Sequence, residues 1–309
     1  MKLDDKGNII IGTTAILIVF LLLMCVFITA SLHYIKNENI ESEVNDNFKY
    51  IIDDYSRNVE VFGRESIDEA AHTVSHGWRL FSSENEIKKN LNNHLNEKNI
   101  EYEEKYDAKL SSEVLSVEST DSPWKVLVKV RLNGEKNNER FSNIIASNVS
   151  IEGLLDPLPV AKLSAFSGLI VLNNKYHYHL ILMLYMKTHL MECPESYMFA
   201  TSPYTIQRCP YDPYIHHGDP GVLDDCLKQG YYHESADGSC YLCRLEGKGK
   251  CPHYGMEVFI QTHTPLLNDS TSCSDHVVFN DHYPGKKVNP LDVNSLILDS
   301  AHQKKYGLV

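Results

Sequence analysis

Between Asn8 and Ala30 the chain reads NIIIGTTAILIVFLLLMCVFITA, without a charge or a proline. As an α-helix rising about 1.5 Å per residue, such a run is roughly 33 Å long, enough to cross a hydrocarbon core of ~30 Å. In hydrocarbon the backbone must satisfy its own hydrogen bonds, so the run must be helical and the rest of the chain must fold beside the membrane. A cleaved secretory signal has a shorter apolar segment, about 7–15 residues, and ends in small residues. Here the end is Phe27-Ile28-Thr29-Ala30, with a bulky isoleucine near the point of cleavage. The run therefore reads as a retained single span. Lys2 and Lys6 precede it and only Lys36 follows closely. The positive-inside rule then places the N-terminus inside and the large C-terminal portion outside the cell membrane.

The composition beyond the span fits that exterior location. Seven of the eight cysteines lie between Cys193 and Cys273, and only Cys25 belongs to the span. Clustered cysteines in an exported region suggest disulfide staples. The candidates are Cys193, Cys209, Cys226, Cys240, Cys243, Cys251 and Cys273, an odd number that leaves one thiol over. Asn148-Val149-Ser150 and Asn268-Asp269-Ser270 match the N-glycosylation acceptor pattern. A net charge of −12 argues against nucleic acid and anionic lipid as partners, since both reward basic patches. The expected partners are the membrane itself and other surface proteins, including copies of this chain.

Helical periodicity continues past the span. Ile40, Val44, Phe48, Ile51, Tyr55, Val59 and Phe62 recur every three or four residues with polar residues between them, an amphipathic stripe. The span and stripe could form one helix as far as Gly63, with a shorter amphipathic segment, Ile67 to Leu80, after it. The stripe then packs either on its own head or, as in a shaft, against copies of itself. Ser83-Glu84-Asn85-Glu86 reads as a capping box opening a second helix, with Ile87, Leu91 and Leu95 on its buried face. Trp124, Val126, Val128, Val130 and Leu132 then alternate with Lys125, Lys129 and Arg131, as in a half-buried strand. Asn133-Gly134 begins a turn, and Phe141 to Ile151 returns as the partner strand. The fold class is α+β: an N-terminal transmembrane helix extended into a long amphipathic helix, an antiparallel sheet head and a Cys-rich C-terminal region. The expected units are residues 1–34 (signal or span), 35–82 (stalk helix), 83–160 (α+β head), 161–288 (Cys/Tyr/His-rich region) and 289–309 (tail with the cluster Leu296-Ile297-Leu298). Two apolar runs, Ala165–Leu172 and Leu180–Leu184, are too short to span a bilayer and read as buried strands or short helices.

Two groups could carry chemistry. Cys240, Cys243, Cys251 and His253 give C-x2-C-x7-C-x-H, which can wrap a tetrahedral zinc, with Gly247 and Gly249 easing the loop. Disulfides are the competing use of the same cysteines, and structural zinc is the one cofactor the sequence suggests. His216, His217 and Asp219 form the densest set of side chains for an open metal site. Adjacent histidines bind one ion only on a helix or tight turn. His233-Glu234 opens an H-E-x-x-H pattern that fails at Asp237. There is no G-x-S-x-G, no phosphate-binding glycine loop and no dinucleotide fingerprint, which disfavours an enzyme.

Met1-Lys2-Leu3-Asp4-Asp5-Lys6-Gly7, running into an apolar helix, resembles archaeal prepilin-type signal sequences. That resemblance implies processing between Gly7 and Asn8, although Gly12 or Thr13 stands where the family places an acidic residue. Ile151-Glu152-Gly153-Leu154-Leu155-Asp156-Pro157-Leu158-Pro159, Cys240-Tyr241-Leu242-Cys243-Arg244-Leu245-Glu246-Gly247, Tyr254-Gly255-Met256-Glu257 and Ser274-Asp275-His276 are similar to segments of membrane-anchored surface proteins of methanogenic archaea. The resemblance implies an anaerobic source, which weakens the disulfide reading and raises the metal one somewhat without displacing it, and carries no activity with it. The expected function is a single-pass extracellular surface protein, pilin-like or adhesive and non-enzymatic. The alternative is a membrane-tethered metal-dependent enzyme or receptor built on His216, His217 and Asp219.

Overall fold

The computed structural model describes residues 19–24, 46–163, 169–178, 180–188, 199–261, 270–279, 286–288 and 294–309. Residues 19–24 are helical. Among the described residues no helix is long and apolar enough to cross a membrane. The remainder of the expected span, with Gly7, Asn8, Ile40, Val44 and Cys193, lies outside the described residues.

Helix α1 (Asp46–Ser75) carries the described part of the amphipathic stripe, Phe48 to Phe62, and packs it within its own chain. Phe48, Ile51, Tyr55 and Val59 are all buried, in one continuous core with Ile87, Leu91, Leu95 and Tyr102 of α2 (Ser83–Tyr106). The Tyr55 hydroxyl donates to Asn99 Oδ1 at 2.8 Å, which fixes the register of the two helices. For these four residues a shaft built from copies of the stripe is therefore overturned: the side chains it would need are already covered. Replacing Phe48 and Ile51 by glutamate should unfold the head, because each forfeits roughly 1.5–3 kcal/mol of burial and adds a buried charge. Thermal unfolding and sedimentation will read this, as a lowered melting temperature without a specific change of oligomeric state.

Gly63 does not end the helix. A Cβ there would lie 2.9 Å from Val149 Cγ2, so glycine lets α1 run on closely over the sheet. Ile67, Ala70, Ala71 and Val74 continue the buried face. The cap of α2 is one residue earlier than the sequence suggests: Ser82 Oγ accepts from the Asn85 N–H at 3.2 Å. Ser83 instead donates both its N–H and its hydroxyl to Glu246 Oε1, each at 2.9 Å. A carboxylate of the cysteine region thus sits at the positive end of a head helix.

Strands β1 (Lys109–Ser119), β2 (Lys125–Lys136) and β3 (Glu139–Ser150) form an antiparallel sheet in that order. Trp124, Val126, Val128, Val130 and Leu132 are buried, as their alternation requires. The hairpin turns at Asn137-Asn138, both at positive φ, and Asn133 and Gly134 remain in the ladder opposite Ser142 and Phe141. A Cβ on Gly134 would come 2.1 Å from the Phe141 ring, so glycine is needed for packing there. That ring meets Phe48 with centroids 4.7 Å apart.

After α3 (Leu158–Leu163) the chain builds a second, mixed sheet from β4 (Ile170–Leu172), β5 (Lys175–His177), β6 (Thr201–Pro203), β7 (Tyr232–Ser235), β8 (Gly255–Gln261), β9 (Ser270–Ser274), β10 (Lys286–Val288) and β11 (Asn294–Leu298). Its order is β10-β11-β9-β8-β6-β5-β4, with β7 on β8 and β11 parallel to β9. Helix α4 (Leu180–Thr188) buries Ile181, Leu182, Tyr185 and Met186, whereas Ile170, Val171 and Leu172 lie exposed on the edge strand β4, contrary to the buried reading of that run. A 3₁₀ turn (Tyr214–Gly218), α5 (Val222–Gln229), α6 (Tyr241–Leu245) and α7 (Asp275–Phe279) complete this part of the chain, α6 packing on α1, α2, α3 and β1 and α7 on β8 and β9. The C-terminal residues are not a loose tail. Leu296 and Leu298 of β11 are fully buried, and Tyr306 beyond α8 (Ser300–Lys305) packs with Leu223, Leu227 and Phe259.

Candidate metal centres

Helix α6 organises the first centre. Cys240 caps its N-terminus and Cys243 follows one turn on, so both thiols face the loop that brings back Cys251 and His253. His253 Nδ1 lies 3.5 Å from Cys240 Sγ and 3.7 Å from Cys243 Sγ. Zinc at about 2.3 Å from sulfur and about 2.0–2.1 Å from nitrogen, in a tetrahedron, separates those atoms by about 3.6 Å. The Cys240 N–H points at Cys251 Sγ, 3.3 Å away, and the Ser119 hydroxyl donates to Cys240 Sγ at 3.0 Å. The four residues that the C-x2-C-x7-C-x-H spacing singled out are therefore brought together, the three cysteines buried and His253 at the surface.

A second quartet, with no C-x2-C to announce it, joins Cys209, His217, Cys226 and His233, all buried. Cys209 precedes the 3₁₀ turn that carries His217, Cys226 lies on α5 and His233 on β7. Cys209 Sγ is 3.5 Å from His217 Nε2, Cys226 Sγ is 3.0 Å from His233 Nε2, and the two Nε2 atoms are 3.0 Å apart. His217 Nδ1 sits 2.7 Å from the Tyr214 carbonyl, which accepts only if Nδ1 is protonated. That fixes the tautomer whose Nε2 lone pair points into the quartet, the arrangement expected of a metal ligand. His233 Nδ1 has no partner, and its ring is held edge-on by Tyr214 and Tyr306. Burial lowers the pKa of His233 and keeps it neutral.

The thiols of each quartet compete for protons. The hydrogen bond from Cys226 pulls Cys209 down to about 3 while Cys226 is driven up, chiefly by the same bond. Cys251 is likewise held far down by bonds from Cys240 and Cys243, and Cys243 is pushed far up. A bound dication would favour the thiolate form of every cysteine in a quartet.

Cys209, Cys226, Cys240, Cys243 and Cys251 are free thiols grouped with histidine nitrogens, the four ligand atoms of each group lying within 4.8 Å of one another. Cys273 is apart from both quartets and donates to the Ile297 carbonyl at 3.3 Å. The His216, His217 and Asp219 cluster does not form. In a 3₁₀ turn successive side chains diverge by about 120°. His217 turns inward to the quartet, while exposed His216 pairs with Asp219 at 3.0 Å.

Arg244, on the same short helix as Cys240 and Cys243, locks this region to the rest. It is fully buried, with Nε 2.8 Å from Asp156 Oδ1, and Nη2 2.5 Å from Asp156 Oδ2 and 2.6 Å from Asp275 Oδ2. Tyr232 donates to Asp156 Oδ2 at 3.0 Å, and the N–H groups of Leu158, Val258 and His276 occupy the remaining carboxylate positions. Asp156, Arg244 and Asp275 come from three of the segments that carry the surface-protein resemblance.

No protein-family model, curated protein or solved structure matches this chain.

A third convergence, Glu257 with His276 and His302, is equally buried. The Glu257 carboxyl is held well below the usual range, with Lys305, His302 and His276 overcoming its burial. Sequence spacing concealed this group, since its members come from β8, α7 and the segment expected to be a tail. In the second quartet the interleaving of Cys and His over residues 209–233 was the available signal. Buried Cys/His clusters of this kind can hold a metal such as zinc.

Proposed function

We propose that the chain is a single-pass, membrane-anchored surface protein whose extracellular head is a non-enzymatic structural or adhesion module held together by two zinc ions. The closure of the two Cys/His quartets carries this reading. Each offers four protein ligands to a tetrahedral ion, which leaves no position for water or substrate, as in structural zinc sites. The uncharged Asn8–Ala30 run supports the anchor, and the prepilin-like N-terminus supports a pilin-like route to the surface. Phe48, Ile51, Tyr55 and Val59, covered by their own head, are not available to an assembly. The metal-enzyme alternative loses its motivation once His217 turns away from His216 and Asp219.

Protease added to intact cells should remove the head and leave a short membrane-bound fragment; complete protection would overturn the orientation. Purified full-length protein should retain two zinc ions through dialysis and release both on thiol alkylation in denaturant. Less than one zinc per chain would overturn the stapled head.

A further inference from the structure

We propose that Glu257, His276 and His302 form a third metal site, an open one, that takes a first-row divalent cation of octahedral preference such as iron(II) or manganese(II). This does not rest on zinc in the quartets, which it shares no ligand with.

Three atoms meet in a closed triangle. Glu257 Oε2 is 2.6 Å from His276 Nε2 and 3.1 Å from His302 Nε2, and the two nitrogens are 2.9 Å apart. Protons cannot satisfy this triangle. If both histidines donate to the carboxylate, two N–H groups face each other. If His276 instead accepts from His302, its lone pair faces Glu257 Oε2 at 2.6 Å. With Glu257 ionised, as the Lys305 and Tyr306 donors on its Oε1 favour, each of these arrangements leaves one repulsive contact among groups that are at most 4% exposed. A cation above the triangle turns all three contacts into coordination.

The size of the triangle selects the geometry. Donors about 2.1 Å from an ion lie about 3.0 Å apart on one face of an octahedron and about 3.4 Å apart in a tetrahedron. The observed edges of 2.6, 2.9 and 3.1 Å match the octahedral face. Two imidazoles and one carboxylate on one face, with the opposite positions open, is the arrangement that binds non-haem iron(II).

The surroundings hold these atoms in place. His302 Nδ1 lies 2.8 Å from Asp299 Oδ1, so Nδ1 keeps its proton and Nε2 can present a lone pair. Lys305 and Tyr306 both donate to Glu257 Oε1 at 2.5 Å, while Oε2 faces the histidines and also accepts from the Ser274 hydroxyl at 2.9 Å.

The test adds ⁵⁷Fe(II) anaerobically to the zinc-loaded, full-length protein in detergent and follows it by Mössbauer spectroscopy. One tightly held, six-coordinate iron with nitrogen and oxygen ligands is expected, falling at least tenfold in His276→Ala and His302→Gln and unchanged in His216→Ala. Failure of folded wild-type protein to hold iron would overturn the site. So would iron that persists in the two ligand variants, or a spectrum of tetrahedral thiolate iron. Should those variants not fold, pulsed electron paramagnetic resonance of the nitric oxide adduct on wild-type protein decides instead. Nitrogen couplings from two imidazoles support the site, and their absence, or no adduct, overturns it.

Discussion

A chelator strong enough to strip zinc should release the cysteine region from the head, while a reductant alone should leave it intact. Structural zinc contributes on the order of 10–16 kcal/mol in small zinc-finger peptides, against about 5–15 kcal/mol for the whole stability of a typical domain. On the proposed zinc reading, losing either quartet's ion is therefore enough to melt the segment it clips. The reporter is built in. Trp124 is buried, its indole N–H donates to Glu234 Oε1 at 2.7 Å, and Arg208 lies over its ring at 5.6 Å. Both partners belong to the second quartet's segment, so its release should expose the indole and shift its emission to the red. Cys240→Ser and Cys226→Ser should each reproduce part of the shift and each lose one zinc. A red shift caused by reductant and prevented by its absence, with no response to chelator, would assign the cysteines to disulfides instead.

What the sequence conveyed depended on whether the relevant contacts were local. The strand at Trp124–Leu132 and the buried face Ile87, Leu91 and Leu95 could be read because a period of two or of three to four already says which side is covered. The partner covering the stripe from Phe48 to Val59 could not, since amphipathicity shows that a face is buried and not against what. The turn after β2 was misplaced because Asn133-Gly134 has the composition of a hairpin, while Gly134 is used to admit the Phe141 ring. Cys240, Cys243, Cys251 and His253 were legible because a helix start and one short loop bring them together within fourteen positions of sequence. Glu257, His276 and His302 meet only through the pairing of β8 with β9 and of β9 with β11, which no spacing rule encodes.

Arg244→Met should be the most damaging substitution outside the metal ligands. It leaves Asp156 and Asp275 buried without their cation, and breaking a buried ion pair from one side costs about 3–5 kcal/mol. Asp275 is already raised, chiefly by burial, and Arg244 is the first group opposing that rise. Without the guanidinium the carboxyl rises further in the folded state. A carboxyl raised on folding costs nothing below its unfolded pKa; the cost grows as pH climbs from there to its folded one and is full above it. The deficit of Arg244→Met relative to wild type should therefore be largest at high pH and shrink as the pH falls toward the ordinary carboxyl range. Taking the difference between the two proteins cancels the protonation of zinc ligands, which weakens both alike. Replacing Asp156 and Asp275 by asparagine together with Arg244→Met should recover much of the loss, since no buried charge then lacks a partner. Denaturant unfolding of the three proteins across that pH range measures all of this. A deficit that stays constant with pH would mean that lost packing, not stranded charge, accounts for the damage.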